Sequence, residues 1–269
     1  AAIVRDVRVT CIWYPCQMAG WWLREGLVAD VGLLRVGGGV DPMTASIAEG
    51  LPSGPSTKSV IHVGGLNAAW HDAAGALVAG RPMVFGGGNS TETAGVQAVD
   101  ADGKVSTVGK LPIPRSDLAT ATIGDRTFIV GGYDGSTVRA TTIATNDGIN
   151  FQILGDLPVP VRYPAVAALG TKVYAIGGTT TGNASGAVRA VQVLDTATGT
   201  VQPIGEIPEP LTDAVAATVR GHIYVFGGML NGQASNQVWR LDLGPGGAGS
   251  IALTPVATLP TPVTDAAIA

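Results

Sequence analysis

The sequence predicts an all-β fold built from repeated four-stranded antiparallel units, on three observations. Glycine pairs open at Gly86, Gly131, Gly177 and Gly227, spaced 45, 46 and 50 residues apart, and each follows an apolar run. A Leu-Pro or Ile-Pro step stands 20 residues before three of them, at Leu111, Leu157 and Ile207. The 39 glycines and 17 prolines are spread along the chain, which suits many short strands joined by tight turns. A fixed period of this length marks a repeat architecture.

Counting the same 20 residues back from Gly86 reaches Leu66, and the register then aligns Asp72 with Asp117, Asp213 and Asp265. An apolar residue recurs six positions before each Leu or Ile, at Val60, Val105, Phe151, Val201 and Leu253. "VIHVGG" at 60–65 therefore ends a preceding unit, and Gly64 and Gly65 are not a further copy of the glycine pair.

Each unit reads as four strands. The first is a run of small residues such as "LATATI" or "AVAAL", followed by a two-residue turn at Ala79 and Gly80, Gly124 and Asp125, Gly170 and Thr171, or Arg220 and Gly221. A glycine at either central position supplies the positive φ of a tight hairpin. The second strand is the continuous apolar run before the glycine pair, which predicts burial on both faces. "VRATTIAT" and "VRAVQVLD" are third strands, and "INFQIL" and "TVQPIG" are fourth strands, joined by turns such as "NDG", "DTATG" and "DADG".

Four-stranded units of this period bury their faces by packing radially about an axis, which predicts a β-propeller. Small residues on the first strand fit the crowding near the axis. The glycine pairs fit a sharp turn that a neighbouring strand approaches closely. At this point the residues resemble the kelch-repeat family. The likeness rests on the glycine pair after an apolar strand, with Tyr174 or Tyr224 three residues before it, and on "LPIPRSDLATATIGDRTFIVGG" as a unit. It covers residues 60–269. The family often places tryptophan on the fourth strand, where this chain has Val105, Phe151, Val201 and Leu253, so the pattern is a divergent, bacterial-type one. The units are expected at 28–65 (partial), 66–110, 111–156, 157–206, 207–258 and 259–269 (partial), with residues 1–27 as a non-repeat segment.

About five blades are expected, either as a small ring or as a piece of the six- or seven-bladed ring the resemblance implies. In the ring, "TPVTDAAIA" would pair with the strand near Leu33 to Val36. The piece is the favoured expectation, because Asp265 lies four residues before the last residue.

The formal net charge of −4, with no run of Lys or Arg, sets aside nucleic acid and anionic membranes as partners. Arg24, Glu25 and Asp30 interrupt the apolar N-terminal region, so no membrane span is expected. Cys11 and Cys16 supply neither a disulfide framework nor a four-cysteine zinc site. The register separates His62, His71 and His222, and no cofactor or metal is expected. Twelve arginines against four lysines suggest a GC-rich bacterial genome. Relatives of that type favour an extracellular or envelope location.

No nucleophile elbow, zinc-protease or phosphate-loop motif occurs, which favours binding over catalysis. Candidate ligand-binding residues cluster at the mouth of the innermost strands. They are His71, Asp72, Asp117, Asp213 and Asp265, with Arg115, Arg162 and Tyr163 beside them. The aspartates fit a purely structural role as acceptors of loop amides as well as a ligand-facing one. By resemblance, the loops after the glycine pairs add Tyr133, Asn183 and Asn231; these loops are Asn89 to Thr93, Tyr133 to Ser136, Thr179 to Asn183 and Met229 to Gln233. The expected role is a non-enzymatic module for a protein, peptide or glycan ligand at one propeller face. The alternative is a carbohydrate-active enzyme similar to kelch-like sialic acid mutarotase, in which Arg115 and Arg162 would hold an acidic sugar.

Overall fold

The computed structural model describes residues 9–11, 33–38, 45–50, 60–64, 66–68, 70–244 and 251–268, with side chains from residue 66 onward except at 184. Four antiparallel four-stranded sheets follow one another along the chain, each with its strands in sequence order. The first runs Ala74–Val78, Arg81–Phe85, Gly95–Val99 and Val105–Lys110. The second runs Ala119–Ile123, Arg126–Val130, Thr141–Thr145 and Gln152–Asp156. Ala165–Leu169, Lys172–Ile176, Ala190–Asp195 and Thr200–Glu206 make the third. Val215–Val219, His222–Phe226, Gln237–Leu243 and Ile251–Thr258 make the fourth. These are the blades of a β-propeller, as the period predicts.

Second strands are buried along nearly their whole length, whereas fourth strands alternate between half-buried and exposed positions. The apolar core is not inside any one sheet but in the seams between sheets. One cluster joins Ile176 and Val193 of the third blade to Ile223 and Trp239 of the fourth. Another joins Phe85 and Val96 of the first to Ile129 and Ile143 of the second. Radial packing thus lets each blade bury both faces against its neighbours. The Leu and Ile landmarks are the seam anchors: Leu111, Leu157 and Ile207 are buried. Their N–H groups donate in the same way to Ala94 O, Ala140 O and Arg189 O at 2.7–2.9 Å.

The first-to-second turns are positive-φ turns, with Ala79 at 50° and Gly80 at 77°, and Arg220 at 50° and Gly221 at 79°. Each blade also carries a register shift between its third and fourth strands, for example at Thr142/Ile143 and Val191/Gln192. An irregularity recurring at one place adds local twist to every blade.

Upstream, Leu33–Gly38, Ala45–Gly50 and Val60–Gly64 form a three-stranded antiparallel sheet, consistent with 60–64 as the last strand of a unit. The last strand, Ala266–Ile268, corrects the expected terminal pairing. Its partner is Val9–Cys11, with Thr10 opposite Ala267, rather than the strand near Leu33 to Val36. The non-repeat segment therefore supplies a strand, and it does so because its Val-Thr-Cys run is β-forming. Residues 12–32, including Cys16, lie outside the described residues, as does the side chain of His62. Among the described residues no helix is long and apolar enough to cross a membrane.

Candidate functional site

The site begins with a backbone requirement. Two residues before the first strand of each blade the chain turns through positive φ, at Asp72 (54°), Asp117 (56°), Tyr163 (53°) and Asp213 (56°), and it does so again at Asp265 (49°), immediately before the strand Ala266–Ile268. Aspartate tolerates this region better than most residues because its short side chain can bond locally. Tyr163 is the fifth member of the set, an aromatic where the other copies have a carboxylate.

These turns are linked to one another. Asp117 N donates to Asp72 O and Tyr163 N to Asp117 O, both at 2.8 Å; Asp213 N donates to Tyr163 O at 3.3 Å and Asp265 N to Asp213 O at 3.1 Å. A chain of amide-to-carbonyl bonds therefore passes from blade to blade beside the axis and brings the side chains of one repeat position together. The loop after each glycine pair folds back on the same turn, through bridges of His71 with Gly88, Ser116 with Tyr133 and Arg162 with Thr179.

The result is a cavity of about 300 Å³ lined by Asp72, Tyr163, Thr179, Gly182, Asn183, Asp213, Met229, Thr264 and Asp265. Of the four post-glycine loops, 179–183 and 229–233 reach it, and those after Gly86 and Gly131 do not. Thr264 is the lining residue outside both the aspartate register and the four loops. Its place beside Asp265 is the signal that could have found it.

The electrostatics divide the carboxylates into three groups. Asp72 pairs with His71, Nδ1 to Oδ2 at 2.6 Å, and although burial opposes it, this contact holds the imidazole above its usual range. Asp117 is buried and forms an ion pair with Arg162. Burial nonetheless pushes its carboxyl up to about 6, with Tyr163 and Arg162 opposing the rise. The Arg162 guanidinium lies over the rings of Tyr133 and Tyr163, at 4.3 and 5.2 Å from their centroids. Burial and the nearby Asp117 raise the Tyr163 hydroxyl, which stays protonated.

Asp213 and Asp265 form the third group. Burial pushes Asp213 up to about 7, reinforced by the charge of Asp265 and a hydrogen bond between the two carboxyls. Asp265 is also raised by burial, with the bond to Asp213 working the other way. Two carboxyls in one site titrate as a pair that shares a proton near neutral pH. Among the described residues no Lys, Arg or His lines the cavity they face.

Of the six candidates that do not line the cavity, His71, Asp117 and Arg162 contact lining residues and three lie farther off. Arg115 is fully buried and points into a blade seam, its Nη1 donating to Gly131 O at 3.0 Å and Thr141 O at 3.1 Å. Burial, then the charge of Arg139, lowers it to about 10. Its register partners at the next blades are Val161, Leu211 and Val263, whose carbonyls take the same bond from a glycine N–H as Arg115 O does. Asn231 is exposed and donates to Glu209 Oε2 at 3.0 Å, away from the cavity. Tyr133 contributes its ring to Arg162 rather than to the lining.

A family model described as "Kelch motif" matches residues 210–244. No curated protein matches the chain. Among solved structures, YjhT is similar with a TM-score of 0.60 and 14% identity, over 68% of this chain; the chain spans 66% of the length of YjhT. That likeness concerns the fold. A kelch motif is thus matched within the fourth blade, the same register recurs in the three blades before it, and the fold is a β-propeller of kelch type.

Proposed function

We propose that the propeller is a non-enzymatic binding module whose axial cavity receives a peptide or protein ligand through a basic side chain. The observation that carries this reading is the Asp213–Asp265 pair. Two half-buried, raised carboxyls face a cavity on whose wall no cationic group stands among the described residues. A ligand ammonium or guanidinium would supply the missing counter-charge and form charge-assisted hydrogen bonds. A volume of about 300 Å³ suits one long side chain or one sugar ring. Thr179, Asn183 and Thr264 add neutral polar groups that help orient such a group.

The glycan and enzyme reading keeps one supporting observation: a proton-sharing carboxyl pair can serve as acid and base. Its acidic-sugar form loses support, because Arg115 is buried in a seam and Arg162 is neutralised by Asp117. Thermal-shift screening against Lys- and Arg-containing peptides, neutral glycans and acidic sugars separates the readings. Stabilisation by basic peptides, absent in Asp213→Asn/Asp265→Asn, supports the module. Stabilisation by sugars alone, with catalysed anomer exchange, overturns it. Asparagine is the right replacement because it too tolerates positive φ.

A further inference from the structure

We propose that Asn231 is a site of spontaneous deamidation through a cyclic imide, placed where the change alters the cavity rim. Asn231-Gly232 is the one Asn-Gly step among the seven asparagines of the sequence. Both residues are exposed and form the turn of a short hairpin, Met229–Leu230 with Gln233–Ala234. Asn231 has φ 50° and Gly232 φ 76°.

Imide formation needs the nitrogen of the following residue to reach the asparagine side-chain carbon. A following residue without Cβ presents the least obstruction, and around Gly232 there is open space. The Gly232 N–H makes no hydrogen bond among the described residues, so no bond must be broken before it reacts. In the step itself, the deprotonated Gly232 nitrogen attacks Cγ of Asn231. A C–N bond closes the five-membered ring, the Cγ–Nδ2 bond breaks, and the amide leaves as ammonia with the proton. Water then opens the imide at either carbonyl, giving aspartate or isoaspartate. The sum is asparagine plus water to acid plus ammonia, with no redox partner.

The position gives the reaction a structural consequence. Asn231 Nδ2 donates to Glu209 Oε2 at 3.0 Å, and Asn231 N to Pro210 O at 3.3 Å. Conversion to aspartate replaces that donor with a second negative charge. Isoaspartate also inserts a backbone carbon into a two-residue turn and breaks the pairing of Leu230 with Gln233. The same small sheet includes Leu211–Thr212, paired with Met229–Leu230, and Met229 and Asp213 line the cavity. Ageing at Asn231 therefore loosens one wall of the cavity.

The test is incubation of the full chain in mildly alkaline buffer, tryptic digestion, and mass spectrometry of the peptide 221–240, with fragmentation separating Asn231 from Asn236. The expected result is loss of the Asn231 amide ahead of that at every other asparagine. Both acid isomers should form, and Asn231→Gln should abolish the signal. Hydrogen exchange in 229–234 should accelerate in the aged protein. An intact Asn231, or equal conversion at Asn236, overturns the site. Unchanged exchange in fully converted protein overturns the effect on the rim.

Discussion

A Cβ at Gly131 would stand 2.3 Å from the carbonyl oxygen of Val161, the atom to which Gly132 N–H donates at 2.9 Å. Gly177 stands in the same relation to Leu211, at 2.1 Å. Each glycine pair is thus the point where one blade is bonded to the backbone of the next. Gly131→Val or Gly177→Val should cost on the order of 2 to 4 kcal/mol, through positive φ and collision together. Gly124 isolates the two causes. It has φ 57° but open space around it, so Gly124→Asn should cost under about 1 kcal/mol. Urea midpoints decide, and equal losses at the two sites would refute the close-approach explanation.

Arg115 should matter for stability and not for ligand affinity. Its guanidinium satisfies two carbonyls of the second blade from a fully buried position. Arg115→Ala should destabilise by about 2 to 4 kcal/mol, because it removes the donors and leaves a void. A variant of unchanged stability that binds ligand more weakly would return Arg115 to the site.

The Arg162–Asp117 pair should show strong coupling. Arg162→Leu leaves Asp117 buried without its ion-pair partner, at a cost on the order of 3 kcal/mol near neutral pH. Adding Asp117→Asn should recover most of that loss, since the buried charge is gone and asparagine keeps the positive φ. Additive losses in the double variant, measured by denaturant titration, would show that the two side chains act independently.

Stability should fall as pH rises from about 4 to about 7. Asp213 and Asp117 have folded-state values raised to about 7 and about 6 from an ordinary 3.8, so the folded chain binds more protons than the unfolded chain across that window. The protonated form then favours folding, and the advantage disappears above the folded values. Asp147, lowered to about 2 by hydrogen bonds from Asn150 and Ile149, acts with the opposite sign but below pH 4. Urea unfolding at several pH values measures this, and Asp213→Asn should flatten the slope. A stability that rises through the window would contradict the buried-carboxyl picture.

The blades were legible because the same backbone demands recur: a turn needing positive φ, an apolar second strand, and a glycine that a neighbouring carbonyl touches. The register of Asp72, Asp117, Asp213 and Asp265 located the axial turns for the same reason. Tyr163 belongs to that register too, 14 residues before Gly177 as Asp117 is before Gly131, but its side chain hid a position defined by its backbone. Arg115 was misplaced in the opposite way. Its side chain suggested a site, whereas its register partners Val161, Leu211 and Val263 mark a seam position. The bonds from turn to turn join backbone atoms, and no residue type announces them. The pairing of Ala266–Ile268 with Val9–Cys11 joins segments outside the repeat, where period carries no information.

The most direct test of the acidic cavity is calorimetric titration of a Lys- or Arg-bearing peptide at pH 6 and pH 8, in buffers of different ionisation enthalpy. A cation bound between Asp213 and Asp265 must displace their shared proton. Affinity should therefore rise toward pH 8, binding near pH 7 should release protons, and both effects should vanish in Asp213→Asn/Asp265→Asn. Binding of the same strength at both pH values, without proton release and unchanged in the double variant, would contradict the assignment of the cavity.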